Sequence, residues 1–152
     1  DMVPRVTYMG DPYSCAFSGK ALTFFSSRNL ASPELVEQRA IDERIDSVFY
    51  SDEYAAAIVR NTTGEYGSRL EVYKKDGTHV LSKEFNFEYT NADLDGDLII
   101  LYNEDSCRIY NMSGTEKLDA AFDFPVSKIR KGRFPGTLVV TGPQQMRELK
   151  LR

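Results

Sequence analysis

The fold is decided by a stretch that occurs twice: RLEVYKKDGTHVLSKEFNF at residues 69–87 and SCRIYNMSGTEKLDAAFDF at residues 106–124. The two copies align without a gap at a shift of 37, with six identities in 19 positions. The identical pairs are Tyr73/Tyr110, Gly77/Gly114, Thr78/Thr115, Leu81/Leu118, Phe85/Phe122 and Phe87/Phe124. The apolar stretches 56–61 and 98–103 match at a shift of 42, so the chain repeats a unit of about 40 residues.

Each unit contains the patterns of four β-strands. Residues 69–73 alternate in polarity, residues 75–78 form a turn in which Gly77 can take a positive φ, and residues 80–85 return as the partner strand. An apolar run without alternation precedes this hairpin, and a weaker strand precedes the run. The apolar runs are residues 54–59, 98–102 and 137–141, and the weaker strands lie near 45–50, 89–94 and 126–130. Since a strand that is apolar on both faces needs cover on both, stacked small sheets are expected.

These features predict an all-β, propeller-like fold with about four blades, each a four-stranded antiparallel sheet. The chain can be a complete propeller of this kind or part of a larger one. We expect one propeller-like domain over residues 1–152, with repeats near 1–43, 44–88, 89–125 and 126–152.

The first and last repeats carry open questions. Residues 33–44 can form the outer strand of the first blade or a helix, because Ser32 and Pro33 also resemble a helix start. We favour the strand, since the repeat places one there. The last unit ends after its third strand, and the segment around residues 3–8 could supply the fourth.

Composition excludes several classes of protein. The chain has 152 residues, a formal net charge of −4, 41% hydrophobic residues and 28% charged residues, which describes a globular chain rather than a disordered one. The acidic balance argues against a nucleic-acid partner. The longest apolar run, residues 98–102, is far too short to cross a bilayer, so this segment is not expected to insert into a membrane.

Several short motifs resemble an uncharacterised bacterial family of unknown function. They are LTFFS at 22–26, VFYSDEY at 48–54, the two Tyr-x-x-[Asp/Ser]-Gly-Thr turns, VTGP at 140–143 and LKL at 149–151. Members of that family have an N-terminal membrane helix followed by an extracytoplasmic propeller-like domain. The resemblance implies that this chain is the C-terminal part of such a protein, extracytoplasmic and anchored through a segment outside it.

An acidic segment is the one weak candidate for a metal site. Asn91, Asp93, Asp95 and Asp97 match the opening of a calcium loop, in which oxygen ligands converge around a sharp turn at glycine. The closing bidentate glutamate is missing, because Tyr102 occupies its position. We therefore favour an acidic hairpin turn between the first two strands of a blade.

The sequence contains no catalytic motif. The single histidine, His79, follows a hairpin turn and is expected to be a surface strand residue. Cys15 and Cys107 lie 92 residues apart, which fits no metal or redox spacing, and Cys107 replaces Leu70 of the preceding repeat, so a buried apolar role is expected. A disulfide between them stays open but is disfavoured, since it would join separate blades. We predict no catalytic residue and no cofactor.

A basic cluster is the weak candidate for partner binding. Lys128, Arg130, Lys131 and Arg133 fall within six residues of an otherwise acidic chain. A charged strand that discourages aggregation is the simpler interpretation. The alternative is a site for an anionic surface, such as lipid head groups or an envelope polymer.

Two functions are compatible with these observations. We favour a noncatalytic extracytoplasmic binding or scaffold domain that presents propeller loops to a protein or an envelope polymer. The alternative is a glycan-active enzyme that uses carboxylates on one face of the propeller. Exposed faces of the end blades also suggest a homodimer or association with upstream blades.

Overall fold

A computed structural model describes residues 5–8, 12–18, 20–28, 32–41, 43–61 and 65–151. These residues form antiparallel sheets and include no α-helix. None of the described residues belongs to a helix that could cross a membrane. The chain divides into two compact units, Asp1–Asn86 and Phe87–Arg152, and each contains two sheets.

The first unit contains two four-stranded meanders, in which each strand pairs with the next along the chain. Sheet 1 consists of β1 (Arg5–Tyr8), β2 (Tyr13–Ser18), β3 (Ala21–Ser26) and β4 (Glu34–Ala40). Sheet 2 consists of β5 (Ile45–Tyr50), β6 (Tyr54–Arg60), β7 (Ser68–Lys74) and β8 (His79–Phe85).

The second unit repeats the arrangement with one strand fewer. Sheet 3 consists of β9 (Asn91–Asp95), β10 (Leu98–Tyr102), β11 (Ser106–Asn111) and β12 (Glu116–Ala121). Sheet 4 consists of β13 (Lys128–Lys131), β14 (Thr137–Thr141) and β15 (Met146–Lys150). The prediction of an all-β, propeller-like fold with about four antiparallel blades is confirmed. The single-domain assignment with its repeat bounds stays a prediction.

The structure decides both questions about the end repeats. Residues 34–40 form strand β4, as favoured, because their backbone pairs with β3 from Ala21↔Ala40 to Ser26↔Glu34. The suggestion that the segment around residues 3–8 completes the last blade is wrong for its described part, strand β1. This strand pairs with β2, from Arg5↔Phe17 to Tyr8↔Ser14, and among the described residues β15 has only β14 as a neighbour.

The inner strands form the core, as their unbroken apolar runs predict. Every residue of β10 is buried, and so are residues 55–59 of β6. β14 is buried less completely, because Val139 and Thr141 are only half-buried. One cluster joins sheets 1 and 2 through Phe24, Ala57 and Tyr73. A second joins sheets 3 and 4 through Ile100, Ile129 and other apolar side chains.

The turn between β7 and β8 packs directly against sheet 1. Gly77 has a φ of 87°, which L side chains rarely adopt. A Cβ atom at this position would lie 2.5 Å from Cβ of Glu37 and 3.1 Å from the ring of Phe24. Gly136 has a similar φ of 73°, but a Cβ there would meet nothing within 4 Å. Both glycines have a positive φ, but only Gly77 is also closely packed. Substitutions at the two positions therefore distinguish the cost of backbone strain from the cost of close packing.

We predict that Gly77→Ala destabilises the chain more than Gly136→Ala. Each substitution costs about 1–2 kcal/mol of unfolding free energy through left-handed strain. Gly77→Ala adds a further 1–3 kcal/mol, on the order of an overpacked contact, because Glu37 and Phe24 must move. Urea unfolding of both variants measures the difference. Equal losses would contradict the packing of this turn against sheet 1.

Candidate functional site

The two charged segments singled out from the sequence lie against each other in the second unit. Lys128 Nζ lies 3.3 Å from Asp93 Oδ2, and Lys131 Nζ lies 3.3 Å from Asp97 Oδ1. The backbone N–H of Lys131 donates to Asp95 Oδ2 at 2.7 Å. The acidic segment of sheet 3 and the basic strand of sheet 4 thus neutralise part of each other's charge.

The acidic segment forms a hairpin between the first two strands of sheet 3, as favoured. Asn91–Asp95 pairs with β10, and Gly96 turns the chain with a φ of 59°. The Asn91 amide donates to Thr90 Oγ1 at 3.1 Å. Across the described part of the chain, no group of three or more His, Cys, Asp or Glu residues could hold a metal ion.

The basic cluster is reduced to two arginines that face solvent. Lys128 and Lys131 have carboxylate partners, whereas Arg130 and Arg133 are exposed and form no ion pair with a described residue. A role of this cluster in binding an anionic partner stays a prediction.

The arrangement that the sequence analysis missed is a polar cleft in the first unit. The cavity has a volume of about 450 Å³. Its walls come from residues 38–41 at the end of sheet 1, from Glu43 and from one face of β7, with His79 at the start of β8. Strand alternation along β7 places Arg69, Glu71 and Tyr73 on this face.

Glu71 is the buried centre of the cleft, with 8% of its surface exposed. Its carboxylate accepts hydrogen bonds from Arg69 Nε at 2.8 Å and from Ser82 Oγ at 2.6 Å. His79 Nε2 lies 2.9 Å from its other oxygen. A buried carboxylate needs such partners, because its desolvation is otherwise very costly.

Arg69 joins this centre to the rim of the cleft. Two of its nitrogens donate to the two carboxylate oxygens of Glu43, at 2.8 and 3.0 Å. Hydrogen bonding from Arg69 lowers the pKa of the Glu43 carboxyl group below its ordinary value of 4.5. The stabilisation by this pair is therefore complete above pH 4.5 and is lost as the pH falls through the lowered pKa.

Tyr73 forms the floor of the cleft. Its ring packs against Phe24 with centroids 5.9 Å apart, and the His79 ring meets its edge at 5.3 Å. The guanidinium carbon of Arg39 lies 5.7 Å from the same ring centroid. Burial raises the pKa of the Tyr73 hydroxyl, and the charge of Glu71 adds to the shift. The phenol is thus protonated at neutral pH.

The polar residues that β7 and β8 contribute to the cleft are replaced in the next repeat. At the shift of 37, Arg108 corresponds to Glu71, while Glu116 and Asp119 correspond to His79 and Ser82. Arg108 lies 3.3 Å from Glu116 and 3.5 Å from Asp119, so in sheet 3 an arginine flanked by two carboxylates occupies the positions of Glu71, His79 and Ser82. His79 is a surface strand residue, as expected, with 43% of its side chain exposed, and it also contacts Glu71. The exchange of Glu71 for Arg108 at equivalent positions of the repeat was the signal available in the sequence.

Both cysteines are buried free thiols. Burial raises the pKa of Cys15 to about 12 and that of Cys107 to about 11. Neither provides a thiolate nucleophile at neutral pH. The buried apolar role expected for Cys107 is confirmed, because it is fully buried like Leu70 in the preceding repeat.

We predict that Glu71→Gln lowers the unfolding free energy by about 1–3 kcal/mol, because the donors of Arg69, Ser82 and His79 lose a buried charged acceptor. Glu53→Gln is the matched control, since Glu53 forms an exposed ion pair with Lys75. This change should cost less than about 1 kcal/mol. Urea unfolding at pH 7 measures both variants. Equal effects would show that the Glu71 contacts contribute no more than a surface pair.

The fold is similar to those of several solved propeller structures. BamB from Moraxella catarrhalis matches with a TM-score of 0.63 and 15% identity, over 96% of this chain and 44% of that one. HIRA residues 644–1017 match with a TM-score of 0.60 and 12% identity, over 92% and 47% of the two chains. BBS1N, crystallised in complex with ARL6DN, matches with a TM-score of 0.55 and 10% identity, over 95% and 50%. This chain thus spans about half the length of these proteins, and the likeness shows the fold alone.

No curated protein matches the sequence. A family described only as being of unknown function, DUF5711, matches residues 1–151, which is nearly the whole chain. The resemblance stated from the short motifs is therefore supported for a family of unknown function. The chain belongs to the DUF5711 family.

Proposed function

We propose that this chain is a noncatalytic binding or scaffold domain outside the cytoplasm, which presents its propeller loops and its polar cleft to a protein or an anionic envelope polymer. The observation that carries the proposal is that the polar side chains of the cleft are hydrogen-bonded to one another. Glu71 is contacted by Arg69, Ser82 and His79, so the centre of the cleft is a buried carboxylate held in place by its hydrogen-bond partners.

The hydrogen bonds of the cleft argue against hydrolytic chemistry. In serine hydrolases a histidine accepts the proton of the nucleophile. Ser82 instead donates to Oε1 of Glu71, an oxygen that also accepts a hydrogen bond from Arg69. A glycosidase needs a carboxyl group with a raised pKa as its acid. Arg69 lowers the pKa of the Glu43 carboxyl group, which is the wrong direction for that role. The binding function is therefore favoured over the glycan-active enzyme.

A protein partner is compatible with this fold. BBS1N carries a propeller-like region similar to this chain and was crystallised in complex with ARL6DN. That likeness supports a protein-binding use of such blades, without indicating which partner this chain binds.

Two finer parts belong to the same proposal. The domain would be anchored to a membrane through a segment outside this chain. Its location can be tested by fusing it to a phosphatase that is active only after export from the cytoplasm. Sheet 4 has three strands, and the outer edge of β15 pairs with no other described strand, which supports association with a second copy or with upstream blades. Sedimentation equilibrium at micromolar to near-millimolar concentration would detect self-association.

We predict that the isolated chain cosediments with purified bacterial cell walls and releases no new reducing ends from them. Binding should fall as salt rises, because charges on both surfaces are screened. A heat-unfolded sample controls for nonspecific adsorption. Release of reducing sugars, abolished by Glu71→Gln in a folded variant, would instead establish the enzymatic alternative.

A further inference from the structure

The cleft between sheets 1 and 2 contains one cation that is held in place and not neutralised. Arg39 Nε donates to the backbone carbonyl of Gly77 at 3.0 Å, and its guanidinium carbon lies over the Tyr73 ring. Its two terminal nitrogens have no partner in the described part of the chain. Arg69, by contrast, is satisfied by two carboxylates. Arg39 is thus the group in this cleft that can receive an anion.

The fixed position of Arg39 favours a planar anion. The bond from Nε and the contact with Tyr73 fix the plane of the guanidinium group. The remaining N–H groups form a fork that matches a carboxylate through two parallel hydrogen bonds. A ligand would therefore meet a preorganised site, which reduces the entropy lost on binding.

His79 supplies a second polar group beside the same ring. Because the Glu71 carboxylate only accepts hydrogen bonds, we assign the proton of the neutral imidazole to Nε2. Nδ1 is then an acceptor, and its ring is 5.3 Å from the Tyr73 centroid. Arg39 and His79 thus place a fork of donors and one acceptor beside the same tyrosine ring.

We propose that this cleft binds a polyhydroxy carboxylate, with the carboxylate on Arg39 and a neighbouring hydroxyl donating to His79 Nδ1. A free sugar acid and a uronic acid unit of an acidic polysaccharide share this chemistry. The cavity of about 450 Å³ lies in the size range of small-molecule sites. The inference rests on the proposed binding function and names the ligand class of its cleft.

The charge of the cleft explains the preference for this class. Two arginines and two glutamates line it, so with a neutral His79 the formal charges cancel, and Arg39 offers only a local positive field. A phosphate dianion would bring two negative charges to this one free cation, beside the carboxylates of Glu43 and Glu71. A hydroxy carboxylate brings one charge to Arg39 and a hydroxyl donor to His79.

The test is isothermal titration of the full chain with galacturonic acid, a galacturonic acid tetramer, galactose and inorganic phosphate. We expect saturable binding of the two galacturonates and none of galactose or phosphate. Tighter binding of the tetramer identifies a polysaccharide unit as the source, and equal binding identifies the free acid. Absence of galacturonate binding, or equal binding of phosphate, overturns the proposal.

Substitutions connect the binding to the cleft. Arg39→Gln should weaken galacturonate binding roughly tenfold or more, because the bidentate charged contact is lost. Arg39→Lys, which keeps the charge without the fork, should weaken it by a smaller factor. Arg60→Gln is the matched control, since this exposed arginine pairs with Asp46 outside the cleft. Far-UV circular dichroism checks that each variant is folded.

The galacturonate experiment and the cell-wall experiment can fail independently of each other. Wall binding that survives Arg39→Gln would retain the proposed function and remove this inference. Galacturonate binding without wall binding would retain the cleft and remove the envelope polymer as its partner. Unchanged galacturonate affinity in the folded Arg39 variants would overturn the assignment of the site.

Discussion

Burial of inner strands that have no polar face is the constraint on which the rest of this structure depends. All five residues of β10 are buried, as are residues 55–59 of β6. A small sheet with such a strand at its centre cannot leave its faces in water, because each exposed apolar side chain forfeits its transfer free energy. Within each unit the sheets therefore pack face to face, and alanines such as Ala55 and Ala57 lie in the cluster that joins sheets 1 and 2.

The polar cleft follows from the same packing. Where sheets 1 and 2 meet, the apolar contact ends at Tyr73, and the next residues on that face of β7 are Glu71 and Arg69. A charge at this depth is tolerated only with partners, and Arg69, Ser82 and His79 provide them. Sheets 3 and 4 are connected differently, through ion pairs of Asp93 and Asp97 with lysines of β13.

The repeat and its polarity were sufficient to predict the strands, because alternation and apolar runs report directly on which faces are covered. Strand β4 was predicted from the repeat against a local helix signal at Ser32 and Pro33, since pairing with β3 outweighs local preference. For β1 the sequence allowed two positions, the start of the first blade, where the repeat places a strand, or the open edge of the last blade, because a strand's sequence does not specify which edge it joins; the structure shows the first. The cleft was missed because residues 39, 43, 71 and 79 come together only when two sheets stack. A site that depends on stacking leaves no spacing motif in the sequence.

The stacked-sheet account is tested most directly by amide hydrogen exchange of the intact chain, read peptide by peptide. Stacked sheets predict the slowest exchange in residues 55–59 of β6 and 98–102 of β10, whose side chains are buried on both faces. Exchange should be much faster in β4 and β15, whose residues are mostly exposed. Exchange of β10 as fast as that of β15 would contradict the account.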